Sequence, residues 1–293
     1  MEKGIRAFVP EHLSSFLRPG ETGEILMVST SGIYLRIGGE ILLLCDRKWG
    51  VLPIGIGLED FDHAVRVLRP QQGQTVTVSD DCLTVQGGHI SLVLQALPWK
   101  AAHGGLPKTL YVRMAAEELA ALRRERGISM LVQPLVLGQP LGDTLKQNPY
   151  SAVARLHLHN LIAAMERQDR FEIRSSVKNL LGLGLGLTPS ADDVLLGMLY
   201  VFRALPQKCP ETVDLFRESI AQLCMQHTNQ ISAAYLKAMI AGAPFERMMR
   251  VFRGICGEEK LDIQQLVRIG GSSGSEMLLG MLIALRICGY NVS

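Results

Sequence analysis

The chain is 293 residues long, which at roughly 150 residues per domain allows one large or two ordinary domains. Hydrophobic residues make up 47% and charged residues 20%, so a substantial core can be buried and wholesale disorder is not expected. Thirty basic against 28 acidic side chains leave a formal +2, with no basic block longer than Arg123-Arg124, which excludes the concentrated basic face of a nucleic-acid binder. Aromatics at 5% are too few for a base-stacking platform.

The amino-terminal sequence MEKGIRAFVPEHL has neither the apolar core nor the small-residue cleavage site of a signal peptide. From about Thr22 to Leu97 the chain favours strands. EILMVST, GIYLRIG, EILLLCD, QTVTVSD, CLTVQG and HISLVLQ are short runs of Val, Ile, Leu and Thr punctuated by Gly32, Gly38-Gly39, Ser79-Asp80-Asp81 and Gly87-Gly88. The last three of these runs read as consecutive antiparallel strands. A helix is expected at Leu58–Leu68, where acidic residues open the first turn.

Pro98, Gly104, Gly105 and Pro107 mark a linker, after which helical periodicity dominates. Leu110–Arg126 ends in Arg123, Arg124 and Arg126 before Gly127, a C-cap residue by type; this basic end reads as a solvated helix terminus. Ser151–Arg167, Pro210–Ile240, Pro244–Ile255 and Asp262–Ile269 also read as helices. Asp192–Leu205 and Glu276–Ile287 are apolar almost all round, as helices at the centre of a bundle are. The longest apolar stretch, Met277 to Leu285, ends at Arg286 and falls short of the roughly 18 residues of a membrane span. The expected fold class is therefore α+β: a β-rich amino-terminal domain over residues 1–105, an antiparallel meander or small barrel, followed by a larger all-helical domain over residues 106–293. Six scattered cysteines (Cys45, Cys82, Cys209, Cys224, Cys256 and Cys288), without a C-x-x-C pair, suit reduced thiols in a cytoplasmic protein with no membrane contact.

The most informative stretch runs from Gly182 through Gly184, Gly186, Thr188, Pro189, Ser190, Asp192 and Asp193 to Gly197. Alternating glycines allow unusual backbone angles and close approach of a ligand. Thr188 or Ser190 is the expected N-cap: Pro189 suits the first helical position if Thr188 caps, and Asp193 completes a capping-box-like S-x-x-D if Ser190 does. The helix that follows would present its amides and positive dipole end to an anion. Capping alone leaves Asp192 open between three readings: a cation ligand, a partner for an amide NH2, or a solvated first-turn acid. A weaker echo lies 83 residues on, where Gly270-Gly271-Ser272-Ser273-Gly274-Ser275-Glu276 leads to Gly280. Placing Ser190 on Ser273 aligns S-x-x-[DE]-x-L-L-G-M-L in both copies. Gly197 and Gly280 would let the two helices approach closely and point both N-termini at one pocket. The Lys of a P-loop and the G-x-G-x-x-G spacing of a dinucleotide site are both missing, so ATP and NAD are not implied.

At these residues the sequence resembles the AllH-type subunit family of oxamate carbamoyltransferase, formerly a domain of unknown function. The family element G-x-G-x-G-L-T-P-S-x-D-D-x-L-x-G is matched from Gly182 to Gly197. A second, G-H-T-S-G-x-D-x-L-x-G, corresponds to Gly270–Gly280 with Gly271, Ser272 and Glu276 in place of His, Thr and Asp. A third, T-T-x-x-S, corresponds to Thr228–Ser232, with Asn229 for the second Thr. The resemblance implies a subunit that works with FdrA-like and AllG-like partners, phosphorolysing oxalurate or a related ureido acid to carbamoyl phosphate. No cofactor or metal is implied. Gly184, Gly186, Thr188 and Pro189 are then expected to form an anion cradle, with Ser190, Ser272 and Ser273 bonding substrate oxygens. Thr228, Asn229, Gly274 and Glu276 line the same pocket, and Asp192 or Asp193 holds the carbamoyl NH2. No general base is assigned. A non-catalytic scaffold or regulatory subunit is the alternative reading.

Among weaker signals, His157 and His159 diverge by about 200 degrees on a helix and cannot share an ion. His227, beside Thr228, is the one histidine placed near the expected site.

Overall fold

The computed structural model describes residues 5–30, 32–79, 82–85, 88–97, 105–122, 127–141, 149–206 and 209–290. The chain divides into two compact units, Met1–Lys100 and Ala101–Ser293. The linker residues Pro98 and Gly104, the turns at Asp80-Asp81 and Gly87, and the basic group Arg123, Arg124 and Arg126 lie outside the described residues.

The first unit is a closed barrel, one of the two sheet forms expected. Its strands are β1 (Ile5–Pro10), β2 (Thr22–Ser29), β3 (Gly32–Ile37), β4 (Glu40–Asp46), β5 (Gly55–Leu58), β6 (Thr75–Ser79), β7 (Cys82–Val85) and β8 (Gly88–Leu97). They are ordered β1-β5-β4-β3-β2-β6-β7-β8 around the barrel. Alternation selects the inner face: in β6 Val76 and Val78 are buried while Thr75, Thr77 and Ser79 are exposed. Ala7, Ile25, Leu35, Leu42, Leu44, Ile56, Leu58 and Leu83 belong to the same buried cluster. The expected β6–β7–β8 run is antiparallel throughout.

The barrel is not a simple meander. β1 lies parallel to β8, from Ile5 opposite Leu92 to Pro10 opposite Leu97, and β4 lies parallel to β5. The return that makes β4 and β5 parallel contains a 3-10 turn at Arg47–Trp49, capped by Asp46, which accepts from the Lys48 amide at 2.8 Å. β1 and β5 are absent from the sequence expectation because one is a lone amino-terminal run and the other is GIGL, half glycine. The helices among the described residues of this unit are α1 (Glu11–Ser14) and α2 (Phe61–Leu68). The expected helix from Leu58 starts later because Leu58 ends a strand, and Asp60 caps it by accepting from the His63 amide.

The second unit is helical: α3 (Thr109–Ala121), α4 (Pro149–Arg167), α5 (Arg170–Leu180), α6 (Ser190–Ala204), α7 (Pro210–His227), α8 (Gln230–Ala241), α9 (Glu246–Cys256), α10 (Gln264–Val267) and α11 (Ser273–Ile287). The helix expected over Pro210–Ile240 is two helices. Thr228 turns extended and Asn229 starts α8, its side-chain oxygen accepting from the amides of Ile231 and Ser232 at 3.0 Å each. α5 is missing from the sequence reading; Asp169 caps it through the Phe171 and Glu172 amides.

α6 and α11 form the centre. Every residue from Ser190 to Phe202 and from Gly274 to Leu285 is buried. Their contact is made backbone to backbone: a Cβ on Gly197 would overlap the Met277 carbonyl, and one on Gly280 would overlap the Val194 carbonyl. Neither obstacle is a flexible side chain, so relief requires the helices to separate. Gly197→Ala is therefore expected to lower stability by about 3 kcal/mol, at the upper end of ordinary overpacking. A urea midpoint equal to that of the parent chain would contradict this packing.

Candidate functional site

The glycine loop between α5 and α6 is shaped by what it must pass. Gly182, Gly184 and Gly186 all have positive φ (78°, 122° and 106°), as alternating glycines led us to expect. A Cβ on Gly182 would overlap the His227 carbonyl, and one on Gly184 would lie 2.5 Å from the Ser190 nitrogen. Two of the three glycines are thus required by close packing of the chain on itself.

The capping expectation is corrected. Pro189, not Thr188 or Ser190, is the N-cap of α6, and no side chain caps that helix. Ser190 is buried as its first residue. Ser272 is the N-cap of α11, likewise without a side-chain cap bond. The first-turn amides are largely used by the chain itself. Ala191 donates to the Leu183 carbonyl at 3.0 Å, and Asp192 and Asp193 donate to that of Pro189 at 3.0 and 3.2 Å. At α11, Gly274 donates to Ile269 at 3.0 Å, and Ser275 and Glu276 donate to Ser272 at 2.9 and 3.1 Å. The amides of Ser190 and Ser273 are the two that these carbonyls leave over.

Capping chemistry is replaced by a carboxyl network beneath the two helix starts. Asp192 faces the α7–α8 junction. Its Oδ1 accepts from the Gly182 amide at 2.8 Å, and its Oδ2 from the Ser232 hydroxyl at 2.6 Å and the Thr228 hydroxyl. Asn229, besides capping α8, donates from Nδ2 to the Leu187 carbonyl at 3.0 Å. Asp193 faces α11. Its Oδ2 accepts from Thr188 Oγ1 at 3.0 Å, and Thr188 Oγ1 lies 3.0 Å from Ser273 Oγ. Its Oδ1 is buried without a hydrogen-bond partner. Glu276, the counterpart of Asp193, accepts from the Ile128 amide at 2.9 Å and from the Ser272 hydroxyl at 3.1 Å. Gly274 is held against the Leu266 carbonyl, where a Cβ would overlap it.

The two stretches that the sequence sets 83 residues apart therefore meet through Thr188 and Ser273. Among the expected site residues, Thr188, Asp193, Ser273, Ser272 and Glu276 gather at the α6–α11 entrances. Asp192, Thr228 and Asn229 gather on the α7–α8 side. Gly186 is exposed and at the periphery. Two participants were not foreseen: Ser232, a member of the T-T-x-x-S stretch, and the Ile128 amide, which no residue-type pattern can flag. His227 packs its backbone carbonyl, not its ring, against Gly182. Among the described residues no group of three or more His, Cys, Asp or Glu side chains could hold a metal ion, and no helix is long and apolar enough to cross a membrane.

Burial pushes the Asp192 carboxyl above the usual carboxylate range, opposed by the Ser232 and Thr228 hydroxyls and the Gly182 amide. Asp193 is held well above that range, first by burial and then by the Glu276 carboxylate, against the pull of the Ser273 and Thr188 hydroxyls.

Comparison with known proteins points first to a class, the subunits of a carbamoyl-transferring enzyme. Residues 180–285, just over a third of the chain, match the family described as oxamate carbamoyltransferase subunit AllH. The matched stretch runs from the end of α5 to the last turns of α11 and includes both helix entrances and the Asp192 cluster. No solved structure matches the chain.

The raised carboxyls carry a stability signature. Unfolded, Asp193 ionises near ~3.9, whereas the folded chain keeps its proton to higher pH, so the folded state binds more protons in between. Stability is then fullest at acid pH and falls as pH rises through the folded value. The melting temperature should drop as pH rises above the ordinary carboxylate range, and Asp193→Asn should flatten that slope. A parent chain with a level melting temperature over that rise would remove the electrostatic description of the pair.

Proposed function

We propose that the chain is a subunit of an oxamate carbamoyltransferase-like enzyme. It would phosphorolyse oxalurate or a related ureido acid to carbamoyl phosphate and the free amide. FdrA-like and AllG-like subunits would complete the assembly, in the cytoplasm and without a cofactor. The small anions of this reaction would sit over the paired starts of α6 and α11, lined by the hydroxyls of Thr188, Ser272 and Ser273, with the Ser190 and Ser273 amides at the two positive helix ends. The observation that carries this reading is that the family match spans the two entrances and that these entrances meet at the Thr188–Ser273 contact. The replacement of His, Thr and Asp by Gly271, Ser272 and Glu276 is the reason a related ureido acid is kept beside oxalurate as substrate.

A scaffold subunit without chemistry of its own is the second reading. It is favoured by the fact that Asp192 spends both oxygens on Gly182, Thr228 and Ser232, all groups of its own chain. Titration calorimetry of the chain, alone and with its partner subunits, against phosphate, carbamoyl phosphate and oxalurate separates the two. Saturable binding of at least one anion, weakened about tenfold or more by Ser273→Ala through loss of a hydrogen bond to a charged group, is the expected result. No heat from any of the three, in either form, would leave the scaffold.

A further inference from the structure

We propose that Ser273, Thr188 and Asp193 form a proton relay, with Ser273 as the acid–base group that meets the substrate; this deepens the functional reading above and rests on it. The three groups lie in series. Ser273 Oγ is 3.0 Å from Thr188 Oγ1, and Thr188 Oγ1 donates to Asp193 Oδ2 at 3.0 Å. Each hydroxyl can receive one proton while handing on another. Exposure is graded along the series: Ser273 and Thr188 are half-buried and Asp193 is fully buried. The relay thus connects a half-buried hydroxyl at the start of one central helix with a buried carboxyl under the start of the other.

Asp193 is suited to the inner end and Asp192 is not. Asp192 accepts from three donors of its own chain, which stabilise it as a fixed structural acceptor. Asp193 Oδ1 has no donor at all, so its charge is under-solvated and its proton affinity is high. The titratable groups that act on it are Glu276 from α11 and Asp192 from α6, both carboxyls and both raising its proton affinity. A carboxyl whose proton affinity is raised in this way suits a proton-donating role.

The reaction needs such a group. In phosphorolysis an oxygen of HPO4²⁻ forms a bond to the carbamoyl carbon while the bond from that carbon to the amide nitrogen breaks. The nitrogen leaves with the electron pair and must take a proton. Ser273 gives its proton to that nitrogen, Thr188 gives one to Ser273, and protonated Asp193 gives one to Thr188. The proton lost by the phosphate restores Asp193, so the products are the free amide and carbamoyl phosphate dianion. In the reverse direction the same relay removes a proton from the attacking amide.

The test is steady-state turnover of oxalurate and phosphate by the full chain assembled with its partner subunits, followed against pH. Ser273→Ala and Thr188→Val should each lower kcat about 100-fold or more, a larger effect than the roughly tenfold loss of anion affinity expected of Ser273→Ala. Ser273→Thr should restore most of the rate, and Asp193→Asn should remove one ionisation from the kcat profile. A Ser273→Ala assembly with unchanged kcat and an unchanged profile overturns the relay. If the unaltered assembly turns over no ureido acid, it is the functional reading that fails. The relay is then read on the chain alone by infrared difference spectroscopy of the carboxyl stretch that Asp193→Asn deletes. A band that shifts in Thr188→Val and in Ser273→Ala supports the relay, and one that moves in neither overturns it.

Discussion

The helical unit depends on the contact between α6 and α11. Two glycines at matching places let one helix backbone rest against the carbonyls of the other, Gly197 on Met277 and Gly280 on Val194. Both copies carry the same spacing from helix start to acid to glycine: Ser190, Asp193, Gly197 in one and Ser273, Glu276, Gly280 in the other. Once the glycines fix the crossing, the acids and the helix starts have no freedom left. The hydroxyls of Thr188 and Ser273 are brought to 3.0 Å, and the carboxyls of Asp193 and Glu276 are buried within reach of each other's charge. Two positive helix ends facing one region offset part of the cost of holding carboxyls there.

Asp192 and Asp193 show how one residue of displacement on a helix divides roles. Successive side chains on an α-helix diverge by about 100 degrees, so neighbours cannot serve one partner. Asp192 turns to the α7–α8 junction and ties three separate segments together through Gly182, Thr228 and Ser232. Asp193 turns to α11 and keeps one oxygen without a donor. An orphaned buried carboxyl oxygen costs free energy, and its retention beside half-exposed hydroxyls is the kind of local conflict that marks a working site.

Much of this was legible from residue order. The two all-round apolar helices, their glycine loops and the recurrence of S-x-x-[DE] marked the central pair and its entrances, and Val-Thr alternation marked the strands of the barrel. What was not legible has physical causes. The N-cap fell on Pro189 because Thr188 and Asp193 bond each other across the loop, a tertiary demand that local capping preferences do not contain. The break in the long helix at Thr228-Asn229 was hidden by unbroken helical periodicity on either side, although Asn229 is a cap residue by type. The Ile128 amide that Glu276 uses is a backbone group 148 residues distant and leaves no mark on composition.

The parallel ladder between β1 and β8 has a consequence for the order of events on the ribosome. Ile5 cannot find Leu92, nor Pro10 its neighbour Leu97, until nearly the whole barrel sequence has been made. The β2–β3–β4 hairpins can form as they emerge, because each partner follows within a few residues. The first strand can meanwhile pair on one edge only, with β5 through Ala7 opposite Leu58 and Phe8 opposite Gly57, while its other edge stays open with a costly loop closure ahead of it. Barrel closure is thus a late step in biogenesis, and the interval before it is when this unit is most open to capture by chaperones or by another nascent chain.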